Sequence, residues 1–172
     1  MRESAGAYVT GNGRCLTVSS EHQAQTAKML HPVTIEDRNR GEVSSELEKR
    51  LCAFNEAVAG PLRTKHIVLA VRDETNRLIA GLTAEIFWNA LYIDVLWVDE
   101  DHRRRGYGVA LLRRAEDAGR AESCDVAYLS TFDFQAPGFY ERYGYDVLAE
   151  LQNVPPGSRS RWFCKKLRRD GV

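Results

Sequence analysis

A short stretch past the middle of the chain combines clustered arginines with closely spaced glycines. After a β-type run it reads Arg103-Arg104-Arg105-Gly106-Tyr107-Gly108. The glycines let the backbone wrap closely around a ligand and turn successive N–H groups toward it. A helix that opens at Gly106 adds about half a positive charge at its N-terminus, and the arginines add mobile full charges. The pattern predicts a cradle for a phosphate or a pyrophosphate.

Two common phosphate-binding motifs do not fit this stretch. A P-loop needs Gly-x-x-x-x-Gly-Lys-Ser/Thr, and the chain does not supply it here. A dinucleotide-binding fingerprint needs a third glycine at the position of Leu111. Serine hydrolase chemistry has no basis either, because no Gly-x-Ser-x-Gly elbow occurs in the chain. The predicted ligand is therefore a phosphate compound that is bound by neither of these two motifs.

Segments on both sides of the cradle complete a larger pattern. Before it stands Leu91-Tyr92-Ile93-Asp94-Val95-Leu96-Trp97-Val98, and after it come Thr131-Phe132-Asp133-Phe134-Gln135-Ala136 and Phe139-Tyr140-Glu141-Arg142-Tyr143-Gly144-Tyr145. With these segments the chain resembles the GNAT superfamily of acetyl-CoA-dependent N-acetyltransferases over about residues 32–168. Only the N-terminal lead-in is left unmatched.

The resemblance implies how acetyl-CoA binds as the co-substrate. Its pantetheine arm behaves like an added strand between two splayed strands and bonds to backbone groups. The acceptor amine then attacks the thioester directly, without a covalent enzyme intermediate. The residues expected to contact acetyl-CoA are Leu96, Trp97, Val98, Arg103, Arg104, Arg105, Gly106, Tyr107, Gly108, Val109, Asp133, Gln135 and Phe139.

Tyr140 stands at the place of the family's acidic tyrosine. The resemblance implies that its phenol gives a proton to the departing thiolate, whose acid has a pKa of about 8.5. Tyr143 and Tyr145 are neighbouring alternatives for this role. The alternative is that Tyr140 has a structural role only, with its ring packed under the sheet.

Asp94 is the candidate general base. An alkyl ammonium with a pKa of about 10 must lose a proton before it can attack. Asp94 shares strand parity with Leu96 and Val98, so its side chain is predicted to lie on the face where pantetheine runs. Tyr92 lies on the same face, and Glu85 lies on the adjacent strand. A solvated or ion-paired carboxylate is the other interpretation of Asp94.

Asp133 departs from the family pattern. Many GNAT members have an asparagine seven residues before the catalytic tyrosine, where it contacts the pantetheine arm. An ionised carboxylate at this position accepts hydrogen bonds but cannot donate one. Either Gln135 replaces the amide contact, or the contact is rearranged.

Aromatic and acidic residues near Asp94 favour a small acceptor. Trp88, Tyr92 and Trp97 are predicted to wall a compact aromatic pocket, in which Asp94 or Glu85 meets an ammonium. The predicted function is transfer of an acetyl group from acetyl-CoA to a primary amine of a small molecule. A protein or peptide N-acetyltransferase is the nearest alternative, and a non-catalytic CoA-binding regulatory module is the second.

The composition disfavours several other classes. The chain has 24 basic and 24 acidic residues, so nucleic acid is not an expected partner. No apolar run approaches the ~20 residues that span a membrane. The 4 cysteines are isolated and no metal is predicted; without an export signal, the expected location is cytoplasmic. Trp162 and Phe163 in the last strand suggest a homodimer surface, although they equally suit the core of the single chain.

The elements around these residues predict an α/β chain. Residues 1–30 are predicted to be a poorly patterned lead-in, and the resemblance implies that residues 31–172 form a single GNAT acetyltransferase domain. The resemblance implies a mixed, mostly antiparallel sheet that splays after the fourth strand, with helices on both faces. Hydrophobic periodicity predicts helices over residues 43–58, 106–121 and 136–143, and strands over residues 32–36, 66–71, 78–87, 91–98, 125–131, 145–151 and 161–167.

Overall fold

The computed structural model describes residues 31, 33–35 and 40–168. Contacts between residues divide the chain into two units, with the boundary between Leu47 and Glu48. The lead-in predicted over residues 1–30 lies outside the described residues, and the single domain from residue 31 onward stays a prediction. Among the described residues, no helix has the length and apolar character needed to cross a membrane.

Helix α1 spans Arg40–Ala59 and confirms the first predicted helix. Its apolar residues recur at steps of three and four, which is the spacing of one helix face. The spacing predicts the helix, but it does not predict whether other residues cover the apolar face of that helix. In the structure the face is exposed, with accessible fractions of 60% to 76% for Leu47, Leu51, Phe54 and Val58.

The strand predicted over residues 32–36 is wrong for the described residues 33–35, none of which belongs to a strand. Val33 and Ile35 are 83% and 90% exposed. Two alternating apolar residues form a stable strand only when neighbouring strands pair with them. No described strand pairs with this segment.

Six strands form one sheet: β1 (Thr64–Arg72), β2 (Leu78–Phe87), β3 (Ala90–Val98), β4 (Val126–Phe132), β5 (Asp146–Gln152) and β6 (Arg159–Lys166). Their order across the sheet is β1-β2-β3-β4-β6-β5. All neighbours are antiparallel except β3 and β4, which run parallel. A parallel pair needs a crossover, and helix α2 (Tyr107–Ala121) provides it. The mixed, mostly antiparallel sheet is therefore confirmed.

Helix α2 covers one face of strands β1 to β3, which we call the core face. Leu111, Leu112 and Ala115 are buried there in one cluster with Leu82 and Leu91. Successive strand residues point to opposite faces, so the residues between the core positions form the other face. This second face carries Thr83, Glu85 and Tyr92.

Strands β3 and β4 separate partway along their length. Their parallel pairing runs from Ala90 and Val126 to Ile93 and Leu129, and within the described residues it stops there. Strand β3 continues beside β2, and β4 continues beside β6. The divergence leaves a cleft between residues 94–98 and residues 130–132. The predicted splay is thus confirmed, at the third strand of the described sheet.

The last part of the chain follows the predicted elements closely. Helix α3 spans Pro137–Arg142, and β5 and β6 follow it. Phe163 on β6 is fully buried, whereas Trp162 is half-buried. Phe163 therefore completes the core of this chain, which is the alternative to its lying on a homodimer surface.

Asp73 organises the turn between β1 and β2. Its Oδ1 accepts hydrogen bonds from the Thr75 hydroxyl at 2.7 Å, the Thr75 amide at 2.9 Å and the Arg77 amide at 3.0 Å. These bonds, that of the Thr75 hydroxyl first, lower the pKa of Asp73 from 3.8 to about 2. Because the folded pKa lies below the unfolded value, the carboxylate stabilises the fold above pH 3.8, and this contribution is lost as the pH falls toward 2.

A carboxyl titration followed by NMR is expected to give a midpoint of about 2 for Asp73. Thr75→Ala removes the largest contribution, so the midpoint is expected to move toward 3.8. A wild-type midpoint already near 3.8 would contradict this account of the turn.

Candidate active site

The arginine–glycine stretch lies in the loop between β3 and α2. A 3₁₀ turn over Glu100–His102 follows β3, and Asp99 caps it. The Asp99 Oδ1 accepts a hydrogen bond from the Asp101 amide at 3.1 Å and lies 3.1 Å from His102 Nδ1. The interaction with His102 is the main cause of the lowered pKa of Asp99. An ionised carboxylate therefore fixes the start of the loop.

The loop then passes twice through left-handed backbone. Arg104 has a φ of +62° and Gly106 has a φ of +90°. Glycine adopts this conformation freely, whereas a residue with a Cβ loses roughly 1–2 kcal/mol. Left-handed residues in such turns bring successive N–H groups to one side, where they can surround an anion. The strained backbone at Arg104 therefore fits the predicted cradle.

Helix α2 supplies further free donors at the end of the loop. The Ala110 amide bonds back to the Gly106 carbonyl oxygen at 3.0 Å. The amides before it have no acceptor within the helix and carry the positive end of its dipole. Arg104 and Arg105 are exposed, and neither forms an ion pair with another described residue. These donors and charges fit a pyrophosphate.

Arg103 has a different role in the structure. Its Nε donates to the Val98 carbonyl oxygen at 3.2 Å, and its guanidinium lies 3.6 Å from the Glu100 carboxylate. Because Val98 is the last residue of β3, Arg103 ties the loop to the end of the strand. Its predicted contact with acetyl-CoA stays a prediction.

Gly108 marks a close approach of α2, α3 and β3. A Cβ placed there would lie 3.5 Å from the Phe139 ring and 3.8 Å from the Leu96 side chain. Tyr107 and Phe139 also pack on the edge of the core. The structure thus brings together predicted residues that are more than forty positions apart in the sequence.

Among the described residues, the cleft leaves one side of residues 94–98 of β3 without a neighbouring strand. Strand β2 pairs with the other side as far as Val98. The Leu96 and Val98 side chains pack against the core, while Trp97 is 43% exposed. The backbone N–H and C=O groups of these residues border the cleft. An extended ligand with amide groups can bind there as an added strand.

The side chain of Asp94 does not share a face with Leu96 and Val98. The pairing of β2 with β3 shifts between Thr83 and Ala84, so Asp94 is an extra residue in a β-bulge. A bulge reverses the alternation of side chains along the rest of the strand. Thr83 Oγ1 donates to Asp94 Oδ2 at 3.4 Å, which places Asp94 on the second face. The prediction that Asp94 shares a face with Leu96 and Val98 is therefore wrong, but Asp94 still lies at the point where the cleft opens.

Tyr140 lies in α3 and is buried, with an accessible fraction of 9%. Its ring lies 5.1 Å from Phe139 and 6.0 Å from both Tyr145 and Phe163, measured between centroids. Burial raises the pKa of the Tyr140 phenol. The phenol therefore keeps its proton at neutral pH, as a proton donor must.

The two neighbouring tyrosines differ from Tyr140. Tyr145 is 2% exposed, and burial, with the nearby Glu116 charge, raises the pKa of its phenol strongly. Lys165 Nζ lies 5.4 Å from the centre of its ring. Tyr143 is half-buried and lies 5.0 Å from Phe139 between ring centroids. Tyr145 thus belongs to a buried charged cluster, and Tyr143 remains a neighbour of Phe139 at the edge of the core.

Asp133 and Gln135 are both engaged within the chain. The Asp133 carboxylate lies 2.6 Å from Arg159 Nε and 2.9 Å from Arg161 Nε. The Gln135 Oε1 accepts hydrogen bonds from the Thr131 hydroxyl at 2.7 Å and the Phe132 amide at 2.9 Å. Asp133 is therefore part of an ion-pair cluster, and the Gln135 side chain offers a ligand only its amide nitrogen.

The predicted compact pocket of Trp88, Tyr92 and Trp97 is not formed. Trp88 lies in the turn before β3, with its indole N–H donating to the Gly60 carbonyl oxygen at 3.4 Å. Trp97 lies near the opposite end of this strand of 9 residues, which spans about 26 Å. Tyr92 and Glu85 are directly opposite each other on the second face. These residues are close in the sequence, but the extended strand separates them in space.

Two aromatic residues of the second face were missed. The Tyr128 ring lies 5.1 Å from Tyr92 and 6.1 Å from Phe87 between centroids. Alternation along β2 and β4 could have placed both rings on one face. The closeness of Tyr128 to both other rings depends on the parallel pairing of β3 with β4, which no local pattern reveals. Among the described residues, no group of acidic, histidine or cysteine side chains could hold a metal ion.

Comparison with known proteins gives matches over most of the chain. The pattern of the Acetyltransferase (GNAT) family matches residues 32–145. Blasticidin-S acetyltransferase of Streptomyces morookaense is 42% identical over 95 residues, which cover 55% of this chain and 70% of the relative. An acetyltransferase of Agrobacterium fabrum is 29% identical over 125 residues, which cover 73% of this chain and 91% of the relative.

Solved structures agree with these matches. A crystal structure of an acetyltransferase from Bacillus cereus superposes with a TM-score of 0.72 at 28% identity, covering 79% of this chain and 97% of that one. A CoA complex of aminoglycoside 6'-N-acetyltransferase shares the fold, with a TM-score of 0.57 at 17% identity and coverages of 83% and 100%. The chain therefore belongs to the Acetyltransferase (GNAT) family and is an acyltransferase.

Proposed function

We propose that the protein transfers the acetyl group of acetyl-CoA to a primary amine of a small molecule by direct attack. The observation that carries this proposal is the junction of the cleft with the free donors at the N-terminus of α2. The cleft suits an extended chain of amides, and the helix N-terminus suits a pyrophosphate. Acetyl-CoA contains both groups. A protein of the same fold solved with CoA bound supports this assignment.

The residues of the loop would hold the pyrophosphate, and those of the cleft would hold the pantetheine arm. Amides of Gly106 and Gly108 donate to phosphate oxygens, while Arg104 and Arg105 add positive charge. Backbone groups of Leu96 and its neighbours bond to the pantetheine amides. The Gln135 amide nitrogen is available for a further hydrogen bond, because the described residues use only the oxygen of this side chain.

The acceptor would approach from the second face. Helix α2 closes the core face of the sheet with buried apolar side chains. The second face is open beside the cleft, where Val95 and Trp97 are 48% and 43% exposed. Asp94 lies on this face, at the opening of the cleft. A carboxylate on the side from which the amine approaches can take up its proton.

The transfer then needs three proton movements. Asp94, directly or through water, accepts a proton from the ammonium and leaves a neutral amine. A bond forms between the amine nitrogen and the acetyl carbon, the nitrogen loses its second proton to water, and the carbon–sulfur bond breaks. Tyr140 gives its phenol proton to the thiolate, and proton exchange with solvent restores both groups. The products are the acetamide and CoA.

A screen for CoA release with a thiol reagent tests this function. The amines include blasticidin S, because a relative that is 42% identical is named for its acetylation, together with aminoglycosides, polyamines, amino acids and peptides. Release of CoA with formation of a small acetamide, identified by mass spectrometry, is the expected result. Turnover of peptides alone would favour a peptide N-acetyltransferase. Binding of acetyl-CoA without turnover of any amine would favour a non-catalytic module.

The cradle predicts a specific loss of affinity. Arg104→Ala with Arg105→Ala is expected to raise the Kd for CoA by about 10-fold, or ~1.4 kcal/mol, since two exposed charges near the phosphates are removed. Calorimetry measures the Kd. The affinity for acetyl-pantetheine, which lacks the pyrophosphate, is expected to stay unchanged.

Arg113→Ala with Arg114→Ala is the matched control for this prediction. Both residues are exposed on α2, so the change in net charge is the same at a different place on the helix. An equal rise of the CoA Kd in the two double variants would mean that only net charge matters, and the cradle would be assigned wrongly.

A homodimer and a cytoplasmic location also belong to this proposal. Of the two aromatic residues that suggested a dimer, Trp162 alone remains partly accessible. The proposed transfer itself needs one chain only, because the cleft, the loop and Tyr140 all come from the same chain.

A further inference from the structure

Glu85 lies in a row of residues that crosses the second face of the sheet. In the strand register, His66 on β1 is opposite Glu85, Glu85 is opposite Tyr92, and Tyr92 is opposite Tyr128. Glu85, Tyr92 and Tyr128 are all half-buried. A carboxylate therefore stands beside two tyrosine rings at the end of the paired part of β3 and β4.

The aromatic rings beside Glu85 are in contact with one another. Tyr92 and Tyr128 lie 5.1 Å apart between centroids, and Phe87 meets Tyr128 edge-on at 6.1 Å with an interplanar angle of 88°. The faces of aromatic rings carry negative potential and attract cations. A carboxylate next to such faces makes a site for an organic cation, because one group supplies charge and the others supply apolar contact.

Within the described part of the chain, no cation occupies this site. His66, the one basic residue in the row, is exposed and forms no ion pair with Glu85. The phenol of Tyr128 is partly desolvated, and burial, then Tyr92 and Glu85, raises its pKa. The Glu85 carboxylate thus acts on the neighbouring Tyr128 ring, and no residue that the structure describes forms an ion pair with this carboxylate.

Glu85 and Asp94 lie far enough apart to contact two different groups of one acceptor molecule. Asp94 is hydrogen-bonded to Thr83, and Thr83 lies two residues from Glu85 along β2. Two residues of a strand span about 7 Å. The amine that attacks must be neutral at that moment, so the group held by Glu85 is a different one, which stays charged throughout.

We propose that Glu85, with the rings of Tyr92 and Tyr128, binds a second cationic group of the acceptor, about 7 Å from the amine that is acetylated. This inference rests on the proposed function and narrows its substrate class to amines that carry another positive charge. Glu85 and Tyr128 are then specificity-determining residues, which contact the acceptor away from the reacting atoms.

A pair of amines of the same shape tests this proposal. The first is (5-aminopentyl)trimethylammonium, whose permanent charge cannot be acetylated. The second is 6,6-dimethylheptan-1-amine, in which a carbon replaces the charged nitrogen. We expect the wild-type kcat/KM to be at least about 10-fold higher for the charged amine. Glu85→Gln is expected to bring the ratio close to 1, and Tyr128→Leu to lower it several-fold.

Glu74→Gln is the matched control, since Glu74 is an exposed carboxylate in the turn between β1 and β2. It changes the net charge equally, and the ratio is expected to stay at the wild-type value. A wild-type ratio near 1, or a ratio that survives Glu85→Gln, would overturn the proposal. Thermal unfolding of each variant shows whether it is folded.

Binding gives a second readout if neither amine is turned over. Calorimetry with CoA present is expected to show saturable binding of the charged amine to the wild type and a Kd at least about 10-fold higher in Glu85→Gln. Absence of binding to the wild type would overturn the proposal. Acetylation of any other small amine in the screen would still support the proposed function, so the two failures are distinguishable.

Discussion

Tyr140→Phe is expected to lower kcat by about 100- to 10,000-fold and to leave the Kd for acetyl-CoA nearly unchanged. The phenol proton matters mainly in the transition state, when the thiolate departs. Phenylalanine keeps the ring, which packs against Phe139, Tyr145 and Phe163. Steady-state kinetics with an amine from the screen measures kcat, and calorimetry measures the Kd.

Two controls separate proton donation from packing. The loss is expected to shrink with thioesters of more acidic thiols, because their thiolates leave with less help from a proton. Tyr143→Phe and Tyr145→Phe remove phenols near the same rings and are expected to keep most of the activity. A Tyr140→Phe enzyme that keeps more than about a third of kcat would show that another residue, or solvent, supplies the proton.

Glu116→Ala is expected to lower the free energy of unfolding by about 3 kcal/mol. Glu116 is 3% exposed and accepts hydrogen bonds from Lys165 Nζ at 2.8 and 2.9 Å and from Arg120 at 3.1 Å. Its removal leaves two cations without this anion. The value is at the low end for a buried pair because the Lys165 and Arg120 side chains are 22% and 39% exposed and can turn to water.

Thermal or urea unfolding measures this loss, which corresponds to a fall in Tm of about 6–12 °C for a chain of this size. Asp117→Ala is the control, because Asp117 binds the same Arg120 at 2.8 Å but its side chain is 63% exposed. Its loss is expected to stay below about 1 kcal/mol. Equal losses in the two variants would mean that burial of Glu116 contributes nothing to stability.

The parts of the fold that local patterns define were predictable from the sequence. Buried positions such as Leu111, Leu112 and Ala115 follow the helical period, and α2 begins within one residue of the prediction. The glycine and arginine pattern correctly predicted that the stretch over residues 103–108 leads into that helix. That this stretch binds a phosphate stays a prediction. The splay of the sheet came from the resemblance, and the end of the pairing at Ile93 confirms it.

Features that depend on contacts between distant segments were not predictable. The bulge at Asp94 moved that side chain to the other face, because the register of β2 against β3 shifts there. The ion pairs of Asp133 with Arg159 and Arg161 join residues about 26 positions apart, and no local spacing indicates them. Tyr128 lies beside Tyr92 only because β4 pairs with β3 after a long crossover.

Within the described part of the chain, the cleft between β3 and β4 gives the sheet four open edges where an undivided sheet has two. Besides the outer edges at β1 and β5, residues 94–98 and 130–132 turn unpaired backbone toward each other inside the sheet. Open edges invite pairing with strands of other molecules, and short edges limit this tendency. Here both inner edges are short and lie within one sheet, so a narrow ligand can pair with them while a strand from another protein finds little length to join.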